Sequence, residues 1–173
     1  MKQFCKSNVE EGWLDLIEAF PIIFSEPSNF LKEHIKLYPQ YFPKIKDVVN
    51  LRYGVEVEGT GWKKIIWEFC EEVTKLSQKA RDNGHEAYFK PCILKEKFGE
   101  LNNQGYWDGK ECDLYFKEYI KFQTDLQNNS REICELTGNP GELMVKEGWY
   151  KTLSEEKAKE LGFKKVYDAT NEE

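Results

Sequence analysis

A chain of 173 residues with 40% hydrophobic and 14% aromatic content has enough apolar material for one real core, which excludes wholesale disorder and a multidomain array. Its 25 basic residues stand against 31 acidic ones, a formal charge of −6. That is the wrong sign for a protein that holds duplex nucleic acid by neutralising its phosphates.

Taken in chain order, Gly12 to Phe20 carries apolar residues at helical spacing and stops at Pro21, which cannot continue a helix interior. Ser28 caps a second helix, Asn29 to about Leu37, with Phe30, Leu31, His34 and Ile35 on one face. These two helices make residues 1–43 a helical N-terminal arm ahead of a core spanning 44–173. Leu51, Tyr53, Val55 and Val57 alternate with polar neighbours and read as a half-buried strand. From about 61 to 81, Trp62, Ile65, Ile66, Phe69, Cys70, Val73, Leu76 and Ala80 recur at three and four residues, the clearest amphipathic helix, and Asp82-Asn83-Gly84 ends it. Ala87 to Glu96 reads as one strand, kept at an edge by Pro91. Asn102-Asn103-Gln104-Gly105 reads as a hairpin turn into Tyr106-Trp107.

Asp108 and Glu111 make a capping-box start for a long helix through Cys112, Tyr115, Tyr119, Phe122, Leu126, Ile133 and Cys134. Gly138 and Asn139-Pro140-Gly141 supply a stop and a tight turn, and Ser154 caps a final helix that ends at Gly162. Gly-Trp recurs at 12–13, 61–62 and 148–149, a match so short that chance or a shared way of starting a helix explains it better than a repeat. The sum is an α+β fold, a small antiparallel sheet packed with several helices, one of them long and in the C-terminal half.

Met1 to Lys6 leads into acidic residues without an apolar stretch, which reads as no signal peptide and a cytoplasmic protein. Ala19 to Ser25, the longest uncharged apolar stretch, is far short of the roughly 20 residues of a membrane span. Cys5, Cys70, Cys92, Cys112 and Cys134 are odd in number and widely spaced, the pattern of reduced, packed thiols.

The chemistry concentrates in Leu94-Lys95-Glu96-Lys97-Phe98-Gly99. In an extended chain Lys95 and Lys97 point to one side and Glu96 and Phe98 to the other, so an anion meets paired ammonium groups beside a stacking ring. The plainer alternative is that the lysines charge an exposed edge against aggregation. His34 and His85 have no spacing that pairs either with a nucleophile, so a histidine-based triad has no local signature.

One succession of motifs reaches further: Tyr38-Pro39-Gln40-Tyr41-Phe42, Gly61-Trp62 opening a helix, Lys95-Glu96-Lys97-Phe98-Gly99, Cys134-Glu135-Leu136-Thr137-Gly138-Asn139-Pro140-Gly141, and Gly148-Trp149-Tyr150-Lys151-Thr152-Leu153. Over about residues 37 to 158 it resembles a widespread family of small, mostly bacteriophage-encoded proteins. In that family the lysine motif reads V-K-E-K-F-G-x-L, and C-x-x-C-G-x-P-G with G-W-x-x-T-L-C-x-x-H supplies a zinc knuckle. Carried across, the four ligand positions fall on Cys134, Thr137, Ser154 and Lys157, so the resemblance implies a lost metal site, no cofactor, and a turn held by packing of Leu143, Trp149 and Leu153 around Cys134.

The resulting expectation is an accessory protein of an infected host cell that sequesters a small anionic, nucleotide-derived ligand, such as a host-defence signal, without catalysis. Lys95 and Lys97 meet phosphate, Arg52 or Arg131 adds a bidentate contact, Glu96 lies beside them, and Trp62, Phe98, Trp107 or Tyr53 stacks on a base. A homodimer would complete the pocket. Two alternatives stand beside it: an inhibitor or adaptor that occludes a host or phage protein, and an enzyme cleaving a phosphate ester with Glu96 as base.

Overall fold

The structure, a computed structural model, describes Leu16, Ala19 and Phe20, then residues 55–57, 59–90 and 94–166. The two N-terminal helices and the arm, apart from those three residues, lie outside the described residues, as do Arg52, Tyr53, Pro91, Cys5, Cys92 and His34. In chain order the elements are β1 (Val55–Glu56), α1 (Lys63–Asp82), β2 (Tyr88–Lys90), β3 (Leu94–Lys97), β4 (Glu100–Asn103), β5 (Tyr106–Asp108), α2 (Asp113–Ser130), β6 (Glu142–Lys146), β7 (Trp149–Leu153), α3 (Glu155–Leu161) and β8 (Lys164–Lys165). The fold is α+β. No helix among the described residues is long and apolar enough to cross a membrane.

The helix α1 buries the face its sequence marks out, Ile65, Ile66, Phe69, Cys70, Val73, Leu76 and Ala80, and packs against α2, which contributes Tyr115, Tyr119 and Leu126. It ends where glycine permits a left-handed turn, Gly84 at φ 74°, with the His85 N–H closing onto Ala80 O at 2.9 Å. Leu16 and Phe20 join this core, the Phe20 ring standing edge-on to Trp67 at 5.2 Å. Cys70, Cys112 and Cys134 are free thiols. The helix α3 follows its reading closely: the Ser154 side chain accepts the Lys157 N–H and Gly162 caps it at φ 76°.

The strands part from the sequence reading in three places. The run 87–96 is two strands in different sheets: β2 pairs antiparallel with β5, while β3 pairs antiparallel with β4 and parallel with β1. The tight turn lies at Phe98-Gly99, since Lys97 is the register partner of Glu100. Both turn residues have positive φ, 57° and 79°, the geometry of a two-residue hairpin turn that matches the twist of its strands. Gln104-Gly105 instead carries the chain between sheets, held by the Tyr119 hydroxyl donating to Gly105 O at 2.6 Å. The long helix starts at Asp113 rather than Asp108 because Asp108 pairs with Lys90 across β2 and β5 and the Glu111 carboxylate accepts the Glu86 N–H.

The third Gly-Trp pair starts no helix. Glu147 (φ 51°) and Gly148 (φ 80°) form a second such turn between β6 and β7, and Trp149 is left 74% exposed. The small C-terminal core consists of Cys134, Met144, Leu153 and Ala158. Of the side chains expected to hold the turn by packing, Leu153 and Cys134 are buried there, whereas Leu143 and Trp149 are exposed.

Candidate functional site

Strand register settles which way the lysine motif faces. Leu94, Leu101 and Asn103 are buried, so the opposite parity, Lys95 and Lys97 with their partners Asn102 and Glu100, faces away from the core. Arg131, just after α2, reaches the same side: its Nε donates to Glu100 Oε2 at 2.6 Å, and Gln127 Nε2 donates to the other oxygen at 2.5 Å. Lys95 and Lys97 therefore share one face of the β3–β4 hairpin by strand parity, and Arg131 is tied to that face through Glu100. The Lys97 ammonium lies 5.6 Å from the Phe98 ring centroid, and Phe98 is 69% exposed.

Glu96 does something else. Its carboxylate accepts the Gly99 N–H at 2.7 Å and so pins the turn. The Gly99 carbonyl in turn accepts the Thr152 hydroxyl. A Cβ on Gly99 would stand 2.4 Å from a Leu143 methyl and 3.2 Å from the Lys151 backbone, so this glycine is what lets the hairpin dock on β6 and β7.

The indoles named for stacking are closed. Trp62 is fully buried, its Nε1 donating to Ile133 O at 2.7 Å. Trp107 is buried too, stacked on Tyr119 with centroids 5.9 Å apart. A ring sealed into the core by neighbours on all sides cannot offer a face to a base, which removes both from a stacking role. Arg52 and Tyr53 lie outside the described residues.

The Gly-Trp pair at 61–62 is a joint between distant segments. Gly61 N donates to Glu135 O at 2.9 Å, and Gly138 N closes its own turn onto Cys134 O at 2.9 Å. Two of the other three knuckle positions, Thr137 and Ser154, stand at the Cys134 sulfur, and Lys157 follows Ser154 in the first turn of α3. Burial pushes its thiol up, but hydrogen bonds from the Thr137 hydroxyl and from the backbone N–H groups of Ser154, Leu136 and Thr137 outweigh it and hold the thiol below its usual value. Lys157 N faces Ser154 Oγ at 3.4 Å, and its ammonium pairs with Glu160 at 2.5 Å. Among the described residues no three His, Cys, Asp or Glu side chains gather as metal ligands.

This geometry makes a gain-of-function prediction. Thr137→Cys, Ser154→Cys and Lys157→His together are expected to complete a tetrahedral set with Cys134. Cobalt(II) titration should then give intense thiolate-type visible bands at one equivalent, absent from the unaltered chain; no bands from a folded triple variant would show that the four positions do not converge.

A separate cleft of about 490 Å³ opens between α1 and the segment 84–89, lined by Val73, Thr74, Ser77, Arg81, His85 and Phe89 among others. Sequence reading passed over it, although Arg81 at the polar end of an apolar helix and His85 directly after the glycine stop were the available signals. Neither Lys95, Lys97, Phe98 nor Arg131 lines it. No protein-family model matches this chain, and no curated protein and no solved structure matches it either.

Proposed function

We propose that the protein binds and holds a small anionic, nucleotide-like ligand on the outer face of the β3–β4 hairpin, without chemistry on it. Lys95, Lys97 and Arg131 meet the phosphates, and Phe98 stacks on the base. In the bacteriophage setting that the motif resemblance proposes, removing such a ligand would silence a host signal.

Phe98 is the observation that carries this reading. The first position of this turn type favours Asn or Asp, because a bulky residue at positive φ costs about 1–2 kcal/mol. Phe98 sits there at φ 57° and leaves most of its ring in water. Strain with exposed apolar surface serves neither folding nor solubility, and strained residues concentrate where ligands bind. Glu96 is occupied by the turn, which favours binding over a hydrolytic role for it. The Phe98 ring is exposed, so a second copy of the chain laid against it would supply enclosure.

The expected result is a trade. Phe98→Asn should raise unfolding stability in urea by about 1 kcal/mol by relieving the backbone, while weakening ligand binding about tenfold, as loss of one aromatic–base stack does. Calorimetric titration with cyclic nucleotides and ADP-ribose derivatives is the measurement, and absence of heat with all of them from folded protein would overturn the proposal.

A second reading, occlusion of a partner protein, is favoured by Trp149 and Phe98 standing exposed at two hairpin turns, the residue type that anchors interfaces. In that case Trp149→Ala abolishes association with the partner and leaves nucleotide titrations unchanged.

A further inference from the structure

We infer that the cleft between α1 and residues 84–89 is a second ligand site, for a small molecule with a flat apolar body and a single anionic group. Its volume of about 490 Å³ falls within the range of small-molecule sites, about 300–1,000 Å³. Val73, Ala87 and Phe89 supply buried apolar walls. Polar groups stand around them: the Thr74 and Ser77 hydroxyls, the His85 imidazole and the Arg81 guanidinium. An apolar interior with a few polar groups at fixed positions is how such sites take their ligands.

The cleft is built rather than incidental. Val73, Ser77 and Arg81 are four residues apart on α1 and share a face. The facing segment is tied at both ends. At one, Phe89 N–H points to Ser77 Oγ at 3.4 Å. At the other, His85 Nδ1 is 2.8 Å from the Tyr115 hydroxyl, which also receives Asn83 Nδ2 at 3.0 Å. A Cβ on Gly109 would stand 1.9 Å from Glu86 O, so the loop before α2 presses directly on this segment and keeps it in place. With its walls held by these contacts, the cleft does not need to be opened by a ligand.

The charge balance at its lining selects the ligand. Arg81 is the one guanidinium among the described residues that line it, steadied by its Nη2 donating to Gln78 Oε1 at 2.7 Å, which leaves N–H groups for one carboxylate or sulfonate. Glu86 also lines the cleft, but it is paired with Lys110 at 3.0 Å, so the charge that the described lining offers a ligand is that of Arg81, matched by one anionic group. The lysine face, with three cations, suits a multiply charged ligand; the cleft suits a monoanion with an aromatic body.

The test uses two fluorescent probes of matched shape, 8-anilino-1-naphthalenesulfonate and the neutral N-phenyl-1-naphthylamine, on the full chain. The inference expects saturable one-to-one binding of the sulfonate, competed by 2-naphthoate. Arg81→Glu changes an exposed side chain and leaves the fold intact; it should weaken the sulfonate at least tenfold and move the neutral probe less than twofold. Thr74→Trp, which fills the cleft, should weaken both probes at least tenfold, and Phe98→Ala should move neither. Non-saturable binding overturns the inference. So does sulfonate affinity unchanged in Arg81→Glu, or binding of both probes lost in Phe98→Ala.

Discussion

Lys151→Met is expected to lower the unfolding free energy by about 3–5 kcal/mol, the usual result of removing one partner from a buried ion pair. The Glu135 side chain is 0% exposed and the Lys151 side chain 20%, and the two pair directly. Glu135 stands next to the buried Cys134, in the turn that docks on α1, and its own N–H donates to Thr152 O at 3.0 Å. With the ammonium gone, the carboxylate loses a direct charge-assisted contact at a site closed to water, which costs free energy. Replacing both residues, Glu135→Met with Lys151→Met, should recover most of the loss, since the pair offsets its own desolvation more than it adds net stability. Urea titrations of the single and double variants measure this. A single variant within about 1 kcal/mol of the unaltered chain would mean that water reaches the pair in solution.

Gly61→Ala should cost at least as much, about 3 kcal/mol or more. A Cβ there would lie 2.1 Å from Cys134 O, 2.6 Å from Gly138 N and 2.7 Å from Glu135 C. All three are backbone atoms, so no side chain can swing aside to make room. The same approach carries the Gly61 N–H to Glu135 O and the Trp62 indole to Ile133 O, and separating the segments loses both hydrogen bonds together. Gly84→Ala is the control: at φ 74° its Cβ meets nothing within 4 Å, so only the left-handed backbone cost of about 1–2 kcal/mol applies. Equal effects at the two glycines would show that conformation, and not the close packing of backbone on backbone, governs Gly61.

These two positions explain why the motifs sit where they do. Gly61-Trp62 docks on the turn at Cys134 to Gly138, and Glu96 and Gly99 dock the β3–β4 hairpin on Leu143 and Thr152. Motifs as far apart along the chain as Gly61 and Glu135 are pairs in space. Much of the lysine motif is therefore architectural, and what remains for the ligand we propose is Lys95, Lys97 and the strained Phe98, joined by Arg131.

The amino-acid sequence by itself determined α1, α3 and the shared parity of Lys95 and Lys97. A helix closes its hydrogen bonds within its own segment, and side-chain alternation is a property of one extended chain, so a local pattern suffices for both. The tertiary structure alone decided which strands pair, that the run from Ala87 to Glu96 divides between two sheets, and that Phe98-Gly99 is the turn. It also decided that Trp62 is core and that Arg131 joins the lysine face through Glu100. Those outcomes depend on hydrogen-bond and packing partners tens of residues away, such as Ile133 for Trp62. A ladder between strands has no local period to read, and an indole beside a glycine looks the same before burial as after it.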